Sequence, residues 1–381
     1  MDGPAVTELA QRAKELGRFG IDTEFMPEGR YRPLLCLVQI VVGEEIVILD
    51  PLAGPFWDPA PLAECLADPA VEVVLHAGRQ DVALLRRQWR TDVTNVFDTQ
   101  VAAGFAGMSA QAGYLGLLQD VLRIRLSKSA SFTRWDARPL TDEQLKYAAE
   151  DVEHLLPLTD ELQRRLIERG RLEWAREECR PIAEATDERD PLQVWRRLPR
   201  STGLDARERA VAQALAAWRE ETAEREDRPV GSILRDPSVV ELAKRQPQDR
   251  KALGSIRGIT PDVLRRRGND ITEAIQAGRS AEPIRLDAEE RFNTESGDGP
   301  VIALAESLVR ARALEAGLAY ELIAARADLS PIVVAVRRGV EPPPVRTLTG
   351  WRKTLVGDEL VELLRGERSL RVTGARVHVG D

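Results

Sequence analysis

The chain has 381 residues, 43% of them apolar and 30% charged, and a formal net charge of −8. That length calls for two or three domains, and no run of about eighteen apolar residues suggests a membrane span, so no membrane partner is expected. Cys36, Cys65 and Cys179 lie far apart, the three histidines are isolated, and the polar start from Met1 to Lys14 lacks a signal-peptide core; neither a disulfide framework nor a zinc site is indicated, and the expected compartment is the reducing cytoplasm.

In chain order, Thr7 to Leu16 reads as a short amphipathic helix. Phe19–Phe25, Leu34–Val42 and Glu45–Leu49 are β-rich runs separated by turns bearing Gly or Pro, which predicts an antiparallel three-strand start. Ala60–Leu66 is helical in pattern. Val71–Leu75 reads as a buried strand feeding a helix from Gln80 to Gln88, and Val93–Phe97 as another strand leading into helix. Tyr114–Leu122 and the stretch Thr141–Glu178 are helical. Strands that then alternate with helices indicate a mixed α/β sheet covered by helices.

The charged stretch Thr186–Pro191 breaks the pattern, and everything beyond it reads as helical. Ala206–Arg225 carries Ala210, Val211, Ala214, Leu215 and Trp218 at helical spacing. Short helices are expected at Pro229–Leu234, Ser238–Lys244, Asp249–Gly254 and Thr260–Arg267, with a last one at Asn269–Ala277. Ala281–Pro300 holds six acids against two bases and reads as a linker, and Val301–Arg371 is helical again. Gly268, Ile271 and Ile275 close the first helical block in the spacing with which Gly357, Leu360 and Leu364 close the second, as in a diverged internal repeat. The resulting division is 1–185, 191–280, an acidic linker at 281–300, and 301–373. The net charge argues against indiscriminate coating of nucleic acid, yet two stretches are basic. Arg123–Arg138 has five bases and one acid, and Lys244–Arg267 eight bases and two acids.

Five residues carry chemistry. Asp22 and Glu24 lie two apart in a strand and so point to one face; Tyr147 and Asp151 lie four apart in a helix and project together. Asp81 opens the helix that follows Val71–Leu75. Singly, each has an ordinary structural explanation: a solvated strand edge, a helix cap, an amphipathic helix face. Together they put several carboxylates on rigid elements, as a pair of hard divalent cations requires. All-oxygen ligands favour Mg²⁺ or Mn²⁺ over zinc, and without metal such acids repel one another and should titrate high. Tyr147 is a poor base, because a free phenol titrates near about 10; orienting the attacking water suits it better. Gln39 and His76 are secondary candidates for shaping the site, and Trp135 either stacks a base or closes the core.

The order and flanking residues of Ile21–Phe25, His76–Val82 and Tyr147–Asp151 resemble the DEDD exonuclease superfamily in its tyrosine-bearing subclass. Trp218-Arg219-Glu220, Asp227-Arg228-Pro229 and Ile233-Leu234 resemble the HRDC module. Lys128-Ser129, Trp135 and Arg138-Pro139-Leu140, followed by Tyr147 and Asp151, are similar to the stretch before the third motif in the bacterial ribonuclease D family, whose layout of an exonuclease and two HRDC modules covers nearly the whole chain. Arg134 and Arg79 stand where many members carry an acid.

The resemblance implies an α/β RNase H-like exonuclease domain followed by two all-α HRDC-type domains. It also implies a metal-dependent 3′-to-5′ exoribonuclease that trims tRNA precursors and other small structured RNAs, releasing nucleoside 5′-monophosphates. Asp22 would bridge two cations, Glu24 and Asp151 would complete the first, and Asp81 would act on the second directly or through water. A DNA 3′-to-5′ exonuclease and a catalytically silent RNA-binding adaptor are the alternatives; the intact five-residue set argues against the adaptor.

Overall fold

The structure is a computed structural model that describes residues 3–53, 57–126, 134–285, 292–374 and 376–380. Lys128 and Ser129, and part of the expected linker, lie outside the described residues. The chain divides into two compact units, one of residues 1–24, 36–186 and 291–381, the other of residues 25–35 and 187–290.

The first unit begins with α1 (Gly3–Leu16), which buries Val6, Leu9, Ala10 and Ala13. A five-stranded sheet follows, formed by β1 (Arg18–Met26), β2 (Leu34–Val42), β3 (Glu45–Leu49), β4 (Glu72–Leu75) and β5 (Val96–Asp98). Its order is β3-β2-β1-β4-β5. β2 and β3 pair antiparallel as expected, with Gln39 opposite Ile48. The opening strands are nevertheless not a separate antiparallel sheet: β1 also pairs parallel with β4, Gly20 opposite Val74, and β4 parallel with β5. β1 is therefore the central strand, buried on both sides at Phe19, Gly20 and Ile21. At Gly20 a Cβ would stand 2.6 Å from Val41 Cγ1 and 3.1 Å from Leu155 Cδ2, so only glycine permits this approach.

Around the sheet lie α2 (Ala60–Ala67), α3 (Arg79–Trp89), α4 (Thr99–Phe105) and α5 (Tyr114–Leu117), the last continuing into a π-helical turn at Leu118–Leu122. The expected helical stretch Thr141–Glu178 is three helices, α6 (Asp142–Glu153), α7 (Leu155–Glu168) and α8 (Leu172–Ala183). They are separated at His154 and at Gly170, whose φ of +64° ends α7 cheaply.

The second unit contains α9 (Ala206–Arg225), α10 (Val230–Ile233), α11 (Asp236–Arg245), α12 (Arg250–Gly254) and α13 (Pro261–Ser280). Asp205 and Glu208 form a capping box at the start of α9, and Thr260 caps α13. The two last helices expected from sequence are one, because Gly268 sits inside α13 without bending the chain out of helix. Residues 25–35 belong to this unit: Arg30 and the Tyr31 amide bind Asp227, and the Tyr31 hydroxyl donates to Glu220 at 3.0 Å.

Residues 292–380 return to the first unit as α14 (Asp298–Ala316), α15 (Tyr320–Ile323), α16 (Arg326–Arg338), α17 (Gly350–Arg352) and, after a π-helical turn, α18 (Asp358–Leu364). Their order of long, one-turn, medium, short and closing helices repeats that of α9 to α13. The helical expectation fails past Leu364, where β6 (Ser369–Thr373) and β7 (Arg376–Gly380) form an antiparallel hairpin. Leu370 and Val372, then Val377 and Val379, alternate with polar residues, the period of a strand and not of a helix.

The expected boundary at 185 does not separate two cores. Phe105, Leu158 and Leu162 share one hydrophobic cluster with Leu308, Ile332 and Trp351. Trp351 stacks on Trp174 at 5.2 Å and meets Phe105 edge-on at 5.0 Å. Arg352 pairs with Glu178 at 2.7 Å, and Arg171 donates to the carbonyls of Phe105 and Ala316. Trp351→Ala is therefore expected to destabilise this unit by about 3–5 kcal/mol. A chain ended after Ala185 is expected to lose cooperative thermal unfolding, which circular dichroism melts will measure.

Candidate metal centre and active site

The acids are brought together by two elements. On β1, Ile21 and Thr23 are buried while Asp22 and Glu24 are half-buried on the opposite face. On α6, a Thr141/Gln144 capping box fixes the start of the helix, and Gln144, Ala148 and Val152 at i, i+4 and i+8 seat it. Tyr147 and Asp151 consequently share a neighbouring face. Carboxylate oxygens of Asp22, Glu24 and Asp151 lie within 4.8 Å of one another, and the Tyr147 hydroxyl is near enough to Asp151 to oppose the rise of its pKa.

Asp81 is buried in the first turn of α3 and stands outside this three-acid cluster. Its carboxylate accepts a hydrogen bond from the Thr23 hydroxyl, which ties α3 to β1 beside the acids. β4 ends at Leu75, so β1 has no strand partner on that side at the level of Thr23, and Asp81 meets it there.

Burial and mutual repulsion govern the electrostatics. Burial, then the charges of Asp81, Asp151 and Glu24, holds Asp22 well above the usual carboxylate range. Burial, followed by Asp151 and Asp81, pushes Glu24 to about 8. Burial with the Glu150 charge takes Asp151 to about 7, while burial raises Asp81 to about 6 against the opposing Thr23 hydrogen bond. The Tyr147 phenol is likewise raised, by burial and then by Asp151, which leaves it a donor and not a base at neutral pH.

Among the described residues this cluster contains neither histidine nor cysteine, and a carboxylate-only donor set suits a hard divalent cation. Trp135 is 6% exposed with its ring 6.0 Å from that of Tyr147, so it closes the core and does not offer a face to a base. Arg138 holds that loop by a bidentate pair with Asp50 and a bond to the Cys36 carbonyl. Arg134 is paired with Asp136, and Arg79 donates to the Pro181 carbonyl. Of the secondary candidates, Gln39 is fully buried with no hydrogen-bond partner for its amide among the described residues. The His76 Nδ1 pairs with Thr99 Oγ1 at 2.9 Å, and burial lowers the imidazole pKa. Sequence reasoning did not find Thr23 or Asp98; the only local signal was Asp98-Thr99 preceding an apolar run, as a helix cap does.

The raised carboxylates fix a sign. Glu24 binds a proton in the folded, metal-free protein at pH values where the unfolded chain has released it, so its ionisation removes stability as pH rises from its unfolded pKa toward about 8. Glu24→Gln is therefore expected to melt above the parent in chelator, by a margin that grows between pH 5 and pH 8. The margin should shrink or reverse on adding a divalent cation, which relieves more repulsion in the parent than in the variant. Differential scanning calorimetry with and without metal measures both.

Residues 3–167 match the 3′-5′ exonuclease domain family and residues 208–275 the HRDC domain family. The chain is 36% identical to ribonuclease D of Gluconacetobacter diazotrophicus over 98% of its own length and 94% of the relative's. It is 36% identical to ribonuclease D of Granulibacter bethesdensis over 94% and 90% of the two chains. Its structure is similar to that of Escherichia coli RNase D, described as an exoribonuclease involved in structured RNA processing, with a TM-score of 0.84, 26% identity and coverage of 96% and 97%. Divalent-metal dependence goes with this family, and the acidic cluster fits it. The chain belongs to the ribonuclease D family of 3′-5′ exoribonucleases.

Proposed function

We propose that this protein removes nucleotides from the 3′ ends of tRNA precursors and other small structured RNAs in the cytoplasm, releasing nucleoside 5′-monophosphates. The observation that carries this reading is the convergence of Asp22, Glu24 and Asp151, with Tyr147 one turn before Asp151 on α6. Asp22, Glu24 and Asp151 would hold divalent cations, Mg²⁺ or Mn²⁺, with Asp81 acting beside them from its place on Thr23. Two such cations would supply positive charge for the phosphoryl oxygens and the departing 3′-oxygen. Tyr147, a hydrogen-bond donor one helical turn from Asp151, orients the attacking water in line with the scissile bond. Trp135 packs behind it and limits its swing.

The domain at 191–280 presents the phosphodiester backbone. A groove of about 770 Å³ there is lined by Arg200, Arg235, Lys244 and Arg257, with Arg245 paired to the single acid Glu241. Arg265 and Arg266 are paired with Asp262, and Arg267 with Glu226, so phosphate contact falls to the groove and not to that triplet. In the other basic stretch, Arg123–Arg138, Arg134 and Arg138 are engaged by Asp136 and Asp50.

The test is release of mononucleotides from a 3′-extended tRNA precursor and from matched single-stranded DNA. Metal-dependent release from RNA is expected; preference for DNA would replace the substrate class. Asp22→Asn should lower turnover about a thousandfold or more, and near-normal turnover in metal would overturn the reading. Tyr147→Phe should reduce turnover by about 10²-fold with RNA affinity unchanged. Charge reversal at Arg200, Lys244 and Arg257 should weaken binding and flatten the salt dependence, by roughly 0.7–0.9 in the log–log slope for each phosphate no longer neutralised.

A further inference from the structure

We infer that Asp98 is a positioning residue for the metal centre, one that fixes Asp81 by clamping the turn from which α3 starts. This inference rests on the reading of Asp81 as a group acting on the bound cation. Asp98 is fully buried at the end of β5 and accepts four backbone N–H bonds. Two, from Gln100 at 2.8 Å and Val101 at 3.3 Å, cap α4 and need only Oδ1. The other two serve nothing in α4. Ala77 N–H donates to Oδ1 at 3.1 Å, and Gly78 N–H to Oδ2 at 2.9 Å.

Those two amides form the entry to α3. Ala77 has a φ of +54°, a left-handed conformation that an alanine rarely adopts and that persists only where surrounding contacts enforce it. Gly78 is the N-cap of α3 and has no side-chain partner for the helix start. Asp81 follows three residues later in the same rigid turn, about 4.5 Å along the axis, so holding the Gly78 amide holds Asp81. A second tie runs in parallel: Thr99 Oγ1 donates to the Leu75 carbonyl at 3.1 Å and accepts from His76 Nδ1. The buried carboxylate thus ends a continuous path from β5 through the turn and Asp81 to Thr23, between Asp22 and Glu24 on β1. Groups that orient a metal ligand are typically worth about 10–100-fold in metal affinity or activity.

Asp98→Asn breaks the Gly78 half of the clamp and leaves the cap. With its amide oxygen in the Oδ1 position, Asn keeps the bonds to Gln100, Val101 and Ala77 and turns an NH₂ toward the Gly78 N–H. On the full chain, Mn²⁺ binding followed by electron paramagnetic resonance should weaken about tenfold or more. In the same variant kcat should fall by a similar factor, with KM for RNA unchanged and activity partly recovered at high metal. Asp81→Asn is measured alongside. Unaltered Mn²⁺ binding in Asp81→Asn overturns the role given to Asp81 and this inference with it. Weakened binding there, but an unchanged Mn²⁺ titration in Asp98→Asn, reduces Asp98 to a helix cap. Should Asp98→Asn fail to fold, Asp98→Ser, whose single side-chain oxygen can cap α4 but cannot also take the Gly78 amide, is read by the same titration, and unchanged Mn²⁺ binding in it overturns the clamp.

Discussion

Crowding of like charge is the constraint on which this structure depends. Three carboxylates with oxygens within 4.8 Å oppose one another in the absence of a cation, and burial compounds the cost. Side chains on flexible segments would swing apart. Here β1 is the central strand of the sheet and α6 is capped at its start and seated along one face, so neither backbone can yield. A hard dication placed at this point would remove a repulsion that the fold has already imposed.

The same logic explains how much of the chain supports so small a site. α7 must lie close to β1, and Gly20 allows it; α7 and α8 in turn share a core with residues 292–380. Trp351 and Arg352 reach Trp174 and Glu178 on α8, whose Cys179 sulfur accepts the Asp98 amide. The second helical block is thus part of the nuclease core. The first block, with its basic groove, forms a compact unit with its own hydrophobic cluster. Two segments with a related order of helices have been put to different structural uses.

Much of this is legible in the sequence because it is local. The spacing Asp22–Glu24 fixes one strand face, and Tyr147–Asp151 one helix face, whatever surrounds them. β2 and β3 are readable to the residue from their β-branched runs between turns, and α9 from its apolar period. The misreadings are also local in cause: short alternating strands at 369–380 are masked by a helical context, and Gly268 reads as a break where packing keeps it helical.

What the sequence by itself determined is the set of chemical groups and the face on which each lies. Tertiary structure alone decided their partners. Nothing in the order of residues says that Asp98 reaches the amides of Ala77 and Gly78, that the Thr23 hydroxyl takes Asp81, or that Arg138 and Arg265 are engaged by acids while Arg200 and Arg257 line a groove. The physical reason is that periodicity encodes direction relative to one element's axis, whereas burial, charge pairing and a shifted pKa depend on distances between elements far apart in the chain.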